Sequence, residues 1–440
     1  MPTSTTGKPR RRVRVHAIYA VAVLAALGFV NLADQTVLGA VLGSIQAEFH
    51  LSDAVLGLTA GAFTVSLALG AIPIGYWADR RSRRVVIAVG AAAWSLATLA
   101  TGLTQNLGQL LAARSLVGIG EASGGPATSS LVADYFTSRA RGRANAIIAG
   151  VGGLGLGGGL ILGGVVSLHY GWRAAFYAAA GPGLLLALLA LTIREPLRGA
   201  AEDVGPRLAA VRDAGWRAAR RLLRNRTYVA AVLANALGGF GFSVLSFTPL
   251  YLHRTFGLNS QQAAMLAGLP LLAGVVLGVP LTGWLVDWRA RRSVRAAVEV
   301  GAAGLLVAAA GTILTFSIPS MVLFGVGLVV SLLGQAASIL APIVILQNVV
   351  VPSLRASAAS INLTFGRLCG WALGPLAVGL VSDLFGRNLR ASLLLLIPSA
   401  FLLGAACLGL ALRSVTRDVA AMESDWAAHE SQDAVAEPAA

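Results

Sequence analysis

Lysine is all but missing from this chain: Lys8 stands alone against 33 arginines. Charge of either sign is scarce, at 12% of 440 residues, where soluble domains carry about 25%. With 56% hydrophobic residues, this excludes two or three soluble domains, because their cores cannot hide so much apolar surface. Cysteine is limited to Cys369 and Cys407, both inside apolar runs, so no disulfide framework is expected. His16, His50, His169 and His253 are scattered and form no metal-ligand spacing. Without a Ser/His, Cys/His or metal constellation, the chain does not read as an enzyme. The formal charge of +15 could signal nucleic acid. Its arginines cluster in short loops between apolar stretches, which suits membrane topology and leaves nucleic acid unexpected as a partner.

What the chain has instead is long apolar runs and 52 glycines, the composition of tightly packed membrane helices. A helix needs about 20 apolar residues to cross a bilayer. Twelve segments meet that length: 16–41, 54–78, 85–105, 108–136, 144–168, 172–193, 228–252, 262–286, 294–316, 320–348, 356–382 and 390–412. The first follows Arg10, Arg11, Arg12 and Arg14 like a signal peptide, but its length, Asp34 and the later spans make it an uncleaved helix. Arginines concentrate in alternate loops. Only Arg173, Arg254, Arg387 and Arg390 lie on the opposite side, so both termini are expected in the cytoplasm of a cell inner (plasma) membrane.

Five regions follow: a basic N-terminus (1–15), a six-helix half (16–193), a linker (194–227), a second six-helix half (228–413) and an acidic tail (414–440). The linker interleaves Arg212, Arg217, Arg220, Arg221, Arg224 and Arg226 with leucines. It reads equally as an amphipathic helix on the inner leaflet or as a solvated connection. The tail has six acids and no Lys or Arg after Arg417, the composition of a disordered segment.

The halves repeat each other. GYWADRRSRR (Gly75–Arg84) aligns without a gap to GWLVDWRARR (Gly283–Arg292), 208 residues later. Gly159, Gly164, Ser167 and Gly171 match Gly374, Gly379, Ser382 and Gly386, 215 residues later. A duplicated six-helix unit is an architecture of secondary transporters. The Gly-x-x-x-Asp-Arg pattern and its echo resemble the signature of the major facilitator superfamily. Asn31–Gln35, the run Arg114–Ser123, and Gly171–Phe176 are most similar to its Spinster-like group, which usually carries Asp-Arg where this chain has Asp34-Gln35. The resemblance implies an all-α membrane fold of twelve helices in two pseudo-symmetric bundles. It also implies alternating access to a small-molecule or lipid substrate, by a monomer in contact with membrane lipids.

Ionisable residues inside spans are expensive and point to function. Asp34 lies in the first span; Arg114 and Glu121, seven residues apart, project from one face of the fourth. One guanidinium fully compensates one carboxylate. Low dielectric and like charge both disfavour ionisation of the other, which makes it a candidate proton carrier. In Spinster-like proteins the matching residues are implicated in proton coupling; the plainer alternative is a static buried ion pair. Protons are the only cofactor expected. Arg367, near Asn362 in the eleventh span, either holds an anionic headgroup or pairs internally. Asp134 and Glu299, near cytoplasmic helix ends, read as structural ion pairs. The resemblance assigns gating to Gly75, Asp79, Arg80 and Arg84 and to their echo Gly283, Asp287 and Arg291, with the glycines permitting close helix approach. A topology-setting turn explains those arginines but not the paired Gly and Asp. Gly153, Gly155 and Gly158 spell G-x-G-x-x-G, but no strand precedes them, so they read as a packing surface rather than a dinucleotide loop. The substrate suggested is an amphiphile such as a lysolipid or sphingoid lipid, with small organic anions or drugs as the alternative and a non-transporting receptor or scaffold less favoured.

Overall fold

The computed structural model describes residues 9–196, 220, 222–351 and 354–424, and all of its long elements are helices. In the first half these are α1 (Pro9–Phe49), α2 (Asp53–Arg80), α3 (Arg83–Gly102), α4 (Leu107–Glu121), α5 (Gly124–Tyr135), α6 (Ser138–Tyr170) and α7 (Trp172–Leu191). The second half has α8 (Arg226–Gly239), α9 (Phe242–Phe256), α10 (Ser260–Ala290), α11 (Ala296–Ser317), α12 (Met321–Val349), α13 (Arg355–Phe365), a π-helical segment (Gly366–Ala372), α14 (Leu373–Leu384) and α15 (Leu389–Ala411). Helix starts follow side-chain chemistry. Ser52, Asn106, Asn225, Ser320 and Asn388 each accept from a backbone N–H three residues on, satisfying a donor the helix cannot.

Eleven of the described helical stretches are long and apolar enough to cross a membrane. The expected span 108–136 is not among them, because it breaks at Ala122–Ser123 into α4 and α5. Pro126 has no N–H for the Ala122 carbonyl, and Ser123 N turns instead to Gly120 O at 3.3 Å. The span 228–252 breaks likewise at Phe240–Gly241, where both N–H groups reach back only three residues and the Gln335 amide donates to Gly238 O at 3.1 Å. The eleventh span widens into the π segment, a register change common at functional sites.

Packing divides the chain into two units. One is Met1–Pro206 with Leu245–Leu272; the other is Arg207–Val244 with Ala273–Ala440. This boundary differs from the central loop that divides the sequence, because small residues draw Leu245–Leu272 onto the first helices. In the first unit, α6 has two glycine faces. A Cβ at Gly155 or Gly159 would strike the Phe29 or Ala33 carbonyl of α1. One at Gly157 or Gly164 would strike Leu272 or Ala264 of α10. The G-x-G-x-x-G run is thus a helix-packing surface, as its context suggested.

At the α1–α2 end, Glu48 accepts from Trp172 Nε1 at 2.7 Å and from both terminal nitrogens of Arg173 at 2.8 and 2.6 Å, which explains why Trp and Arg open α7. At the opposite end Arg83, 3% exposed, pairs with Glu195 (2.7 Å) and with Asp134.

In the second unit, α11 and α12 approach through Gly304, Gly311, Gly327 and Gly334, and α8 meets the π segment through Gly239 and Gly370. The expected disordered tail begins otherwise: residues 415–424 form a further helix, α16. Its Asp418 accepts from Thr227 N (3.1 Å) and Oγ1 (2.7 Å), tying the chain end to the start of α8. Residues 425–440 and most of the basic linker, 197–219 and 221, lie outside the described residues. The repeat is visible in the backbone, since Gly171 (φ 81°) and Gly386 (φ 67°) both turn the chain with positive φ after a long helix.

Candidate functional site

The first unit buries a charged set built from three helices. Asp34 on α1 is 1% exposed, and its Oδ2 accepts from Thr98 Oγ1 on α3 at 2.8 Å. Arg114 on α4, also 1% exposed, holds that oxygen with Nη1 only at 3.8 Å, and its guanidinium lies 5.2 Å from the Phe63 ring centroid. Glu121, the last residue of α4 before the break, is buried and accepts from Gln35 Nε2 at 2.8 Å. Gln35 Nε2 also donates to Asn31 Oδ1 at 3.3 Å.

The set is under-satisfied. Asp34 Oδ1, Glu121 Oε1, and Arg114 Nε and Nη1 are buried without a hydrogen bond in the protein. Buried polar atoms are normally paired, so four open atoms in one cluster set this place apart. Gln35 explains the departure from Asp-Arg. A neutral amide meets Glu121 where an arginine would bring a second positive charge, so two carboxylates share one guanidinium.

In its spanning helices the second unit buries the amides of Gln335 and Asn362. Asn362 on α13 is 8% exposed; its Oδ1 has no hydrogen bond, and its carbonyl accepts from Asn235 Nδ2 on α8 at 3.2 Å. Arg367 sits half-buried in the π segment and is not without a partner. Among the described residues, no three His, Cys, Asp or Glu gather as a metal site.

The expected gating residues are placed less completely. Asp79 lies in the last turn of α2, but its side chain falls outside the described residues. Arg80 stacks on Tyr76, 3.3 Å from the ring centroid, and Arg84 donates to the Ile193 carbonyl at 3.4 Å. Asp287 and Arg291 are exposed. A Cβ at Gly75 or Gly283 would meet nothing within 4 Å, so neither glycine makes a close helix approach within its own unit. Arg83, overlooked among four clustered arginines, is the buried one. It donates to Glu195 and to Ser130 Oγ (3.3 Å), while Ser82 also binds Glu195. Burial opposes ionisation of Glu195, yet hydrogen bonds from Ser82 and Arg83 hold its carboxyl below the usual range. Asp134 and Glu299 are paired as expected, the latter with Arg289 at 2.7 Å. A further pair had no motif to announce it. Asp53, fully buried, takes both terminal nitrogens of Arg254 at 2.6 and 2.8 Å, and Gln46 bonds to each partner.

The profile of the Major Facilitator Superfamily matches residues 24–375. The chain belongs to the major facilitator superfamily. Within it the chain is a transporter of the Spinster type, and its relatives are transporters rather than enzymes. It is 31% identical over 411 residues to an "MFS-type efflux pump" of Mycolicibacterium smegmatis, covering 91% of this chain and 94% of that one. It is 30% identical over 393 residues to the mouse "Sphingosine-1-phosphate transporter SPNS2", covering 84% and 71%. The solved structure of a bacterial homologue of the human lysosomal transporter Spinster, inward-facing and unoccupied, matches with TM-score 0.79 at 25% identity over 95% of this chain and 99% of that one. The twelve-helix fold that the apolar segments and the resemblance implied therefore holds for this multi-pass membrane transporter of a small-molecule substrate.

Proposed function

We propose that this superfamily member is a proton-coupled secondary transporter of amphiphilic, lysolipid- or sphingoid-like molecules, working by alternating access. The observation that carries the coupling is the buried Asp34–Arg114–Glu121 set, with two carboxylates to one guanidinium and hydrogen-bonding atoms left open on all three. A static ion pair needs one carboxylate; a second beside it serves as a proton site. Glu121 terminates α4 at its break, so a change in its charge acts where the span already bends. The lipid substrate is supported by the similarity to a relative named for sphingosine-1-phosphate, with Arg367 and Asn362 as candidate headgroup contacts. The protein sits in the inner (plasma) membrane as a monomer with cytoplasmic termini, following its arginine asymmetry.

The test is binding of lysophosphatidic acids of increasing chain length to the purified protein. Affinity rises with length by about 0.8 kcal/mol per buried CH₂ until the tail outgrows the cavity. Arg367→Ala weakens the series far more than it weakens a neutral-head analogue. A flat or falling series removes the lipid and leaves the second reading, transport of small organic anions or drugs, which the efflux-pump relative favours.

A further inference from the structure

The charged set uses one face of α3 and α4. Their other face forms an apolar groove with Ile74 and Trp77 of α2, with a volume of about 410 Å³. Its floor is recessed for a packing reason: Gly90 lets Ser123 in against α3, and Gly120 lies against Trp94. Its rims are Leu96, Leu116 and Ile119, which are 56%, 56% and 44% exposed. In a membrane-spanning protein such side chains meet lipid. Along α3 the groove runs from Val89 to Ala100, about 16 Å at 1.5 Å per residue, roughly half the bilayer's hydrocarbon core. Its chemistry changes at one end. Trp77 lines the groove there, and one turn further Arg80 lies exposed over the Tyr76 ring with exposed Arg81 beside it. Interfacial aromatics and arginines next to an apolar slot suit a lipid with a negative headgroup.

We propose that this groove holds one acyl chain of an anionic phospholipid from the surrounding bilayer, with its headgroup on Arg80. The lipid is a resident, not cargo. Ile119, Gly120 and Ser123 line the groove on the turn that carries Glu121 and on the break behind it, so the lipid braces the bend of the fourth span. This inference stands apart from the substrate proposed above.

The experiment is native mass spectrometry of the purified full chain with added palmitoyl-oleoyl phosphatidylglycerol or phosphatidylcholine. One phosphatidylglycerol is retained, bound about fivefold more tightly than phosphatidylcholine, the preference one interfacial arginine provides. Arg80→Gln removes the preference. Arg292→Gln, at an arginine 5.1 Å from the Trp288 ring and outside the groove, keeps it. Ala93→Phe fills the floor and weakens both lipids at least tenfold; Leu96→Ser on the exposed rim weakens both severalfold and serves if Ala93→Phe does not fold. A preference that survives Arg80→Gln or that Arg292→Gln abolishes equally overturns the site, as does lipid retention that both groove variants leave unchanged. Displacement of the phosphatidylglycerol by lysophosphatidic acid overturns the resident role and makes the groove a substrate path.

Discussion

The two repeats bury different chemistry at matching places. In the first, α4 carries Glu121; 214 residues later, close to the repeat offset, α12 carries Gln335, which donates to the Gly238 carbonyl at the break of the seventh span. Around Glu121 lie Asp34 and Arg114; the second unit offers Asn235 and Asn362. The signature loops differ in the same sense. Arg83 is buried between Asp134 and Glu195, whereas its counterpart turn keeps Arg289 and Glu299 as a pair with 43% and 29% of their side chains exposed. One half has kept titratable groups out of water, where charge is costly and responsive. The other satisfies its helix breaks with neutral amides. The lesson is a difference of chemistry within a duplicated fold: the first repeat buries Asp34, Arg114 and Glu121 in its spanning helices, where the second buries Gln335 and Asn362.

Four sets of measurements test that difference. The largest effect belongs to Arg114→Ala, which leaves two buried carboxylates uncompensated. It costs about 3–5 kcal/mol of stability and abolishes transport, read by thermal unfolding and proteoliposome uptake. Next is Arg83→Ala, expected to cost about 3 kcal/mol, because Asp134 and Glu195 lose their shared partner. Arg289→Ala, in the exposed ion pair of the counterpart turn, changes the melting midpoint by less than about 1 kcal/mol equivalent. Equal effects would break the comparison. The repeat glycines come third. Gly171→Ala forces a side chain into a backbone region that suits almost only glycine (φ 81°, ψ 163°) and costs about 1–3 kcal/mol. Gly386→Ala, at φ 67°, costs about 1–2 kcal/mol. The smallest effect is the pH response at Glu195. Its carboxyl is held below the ordinary value of 4.5, so its contribution is complete above that pH and is lost as pH falls toward the folded value. Glu195→Gln removes that acid-side loss from a melting-versus-pH curve.

Much of this was legible in the sequence, for physical reasons that differ from residue to residue. Spans are read from apolar length, and the repeat from Gly75–Arg84 and Gly283–Arg292. Asp34, Arg114 and Glu121 stand out because charge inside a span is rare, and the structure brings Asp34 and Arg114 within 3.8 Å. The helix breaks were only half legible. Pro126 signals one, but Phe240–Gly241 depends on Gln335, 94 residues away, reaching the chain. Arg83 looked like three neighbouring arginines, because only tertiary packing decides which is buried. Asp53 and Arg254 are 201 residues apart, and neither carries a motif. Asp418 sits in an acidic run of disordered composition, and only its contact with Thr227 gives it a structural role.

The central claim is that Glu121 carries a proton at a place that the neutral amide of Gln335 fills in the second repeat. Its direct measurement uses proteoliposomes containing wild-type or Glu121→Gln protein and a fluorescent lysophosphatidic acid. Uptake is driven either by an imposed pH gradient or by exchange against unlabelled probe at uniform pH. The account predicts that Glu121→Gln loses the gradient-driven flux while keeping exchange, since an amide reproduces the permanently protonated side chain. Gradient-driven uptake of wild-type rate and wild-type pH dependence in Glu121→Gln would contradict it.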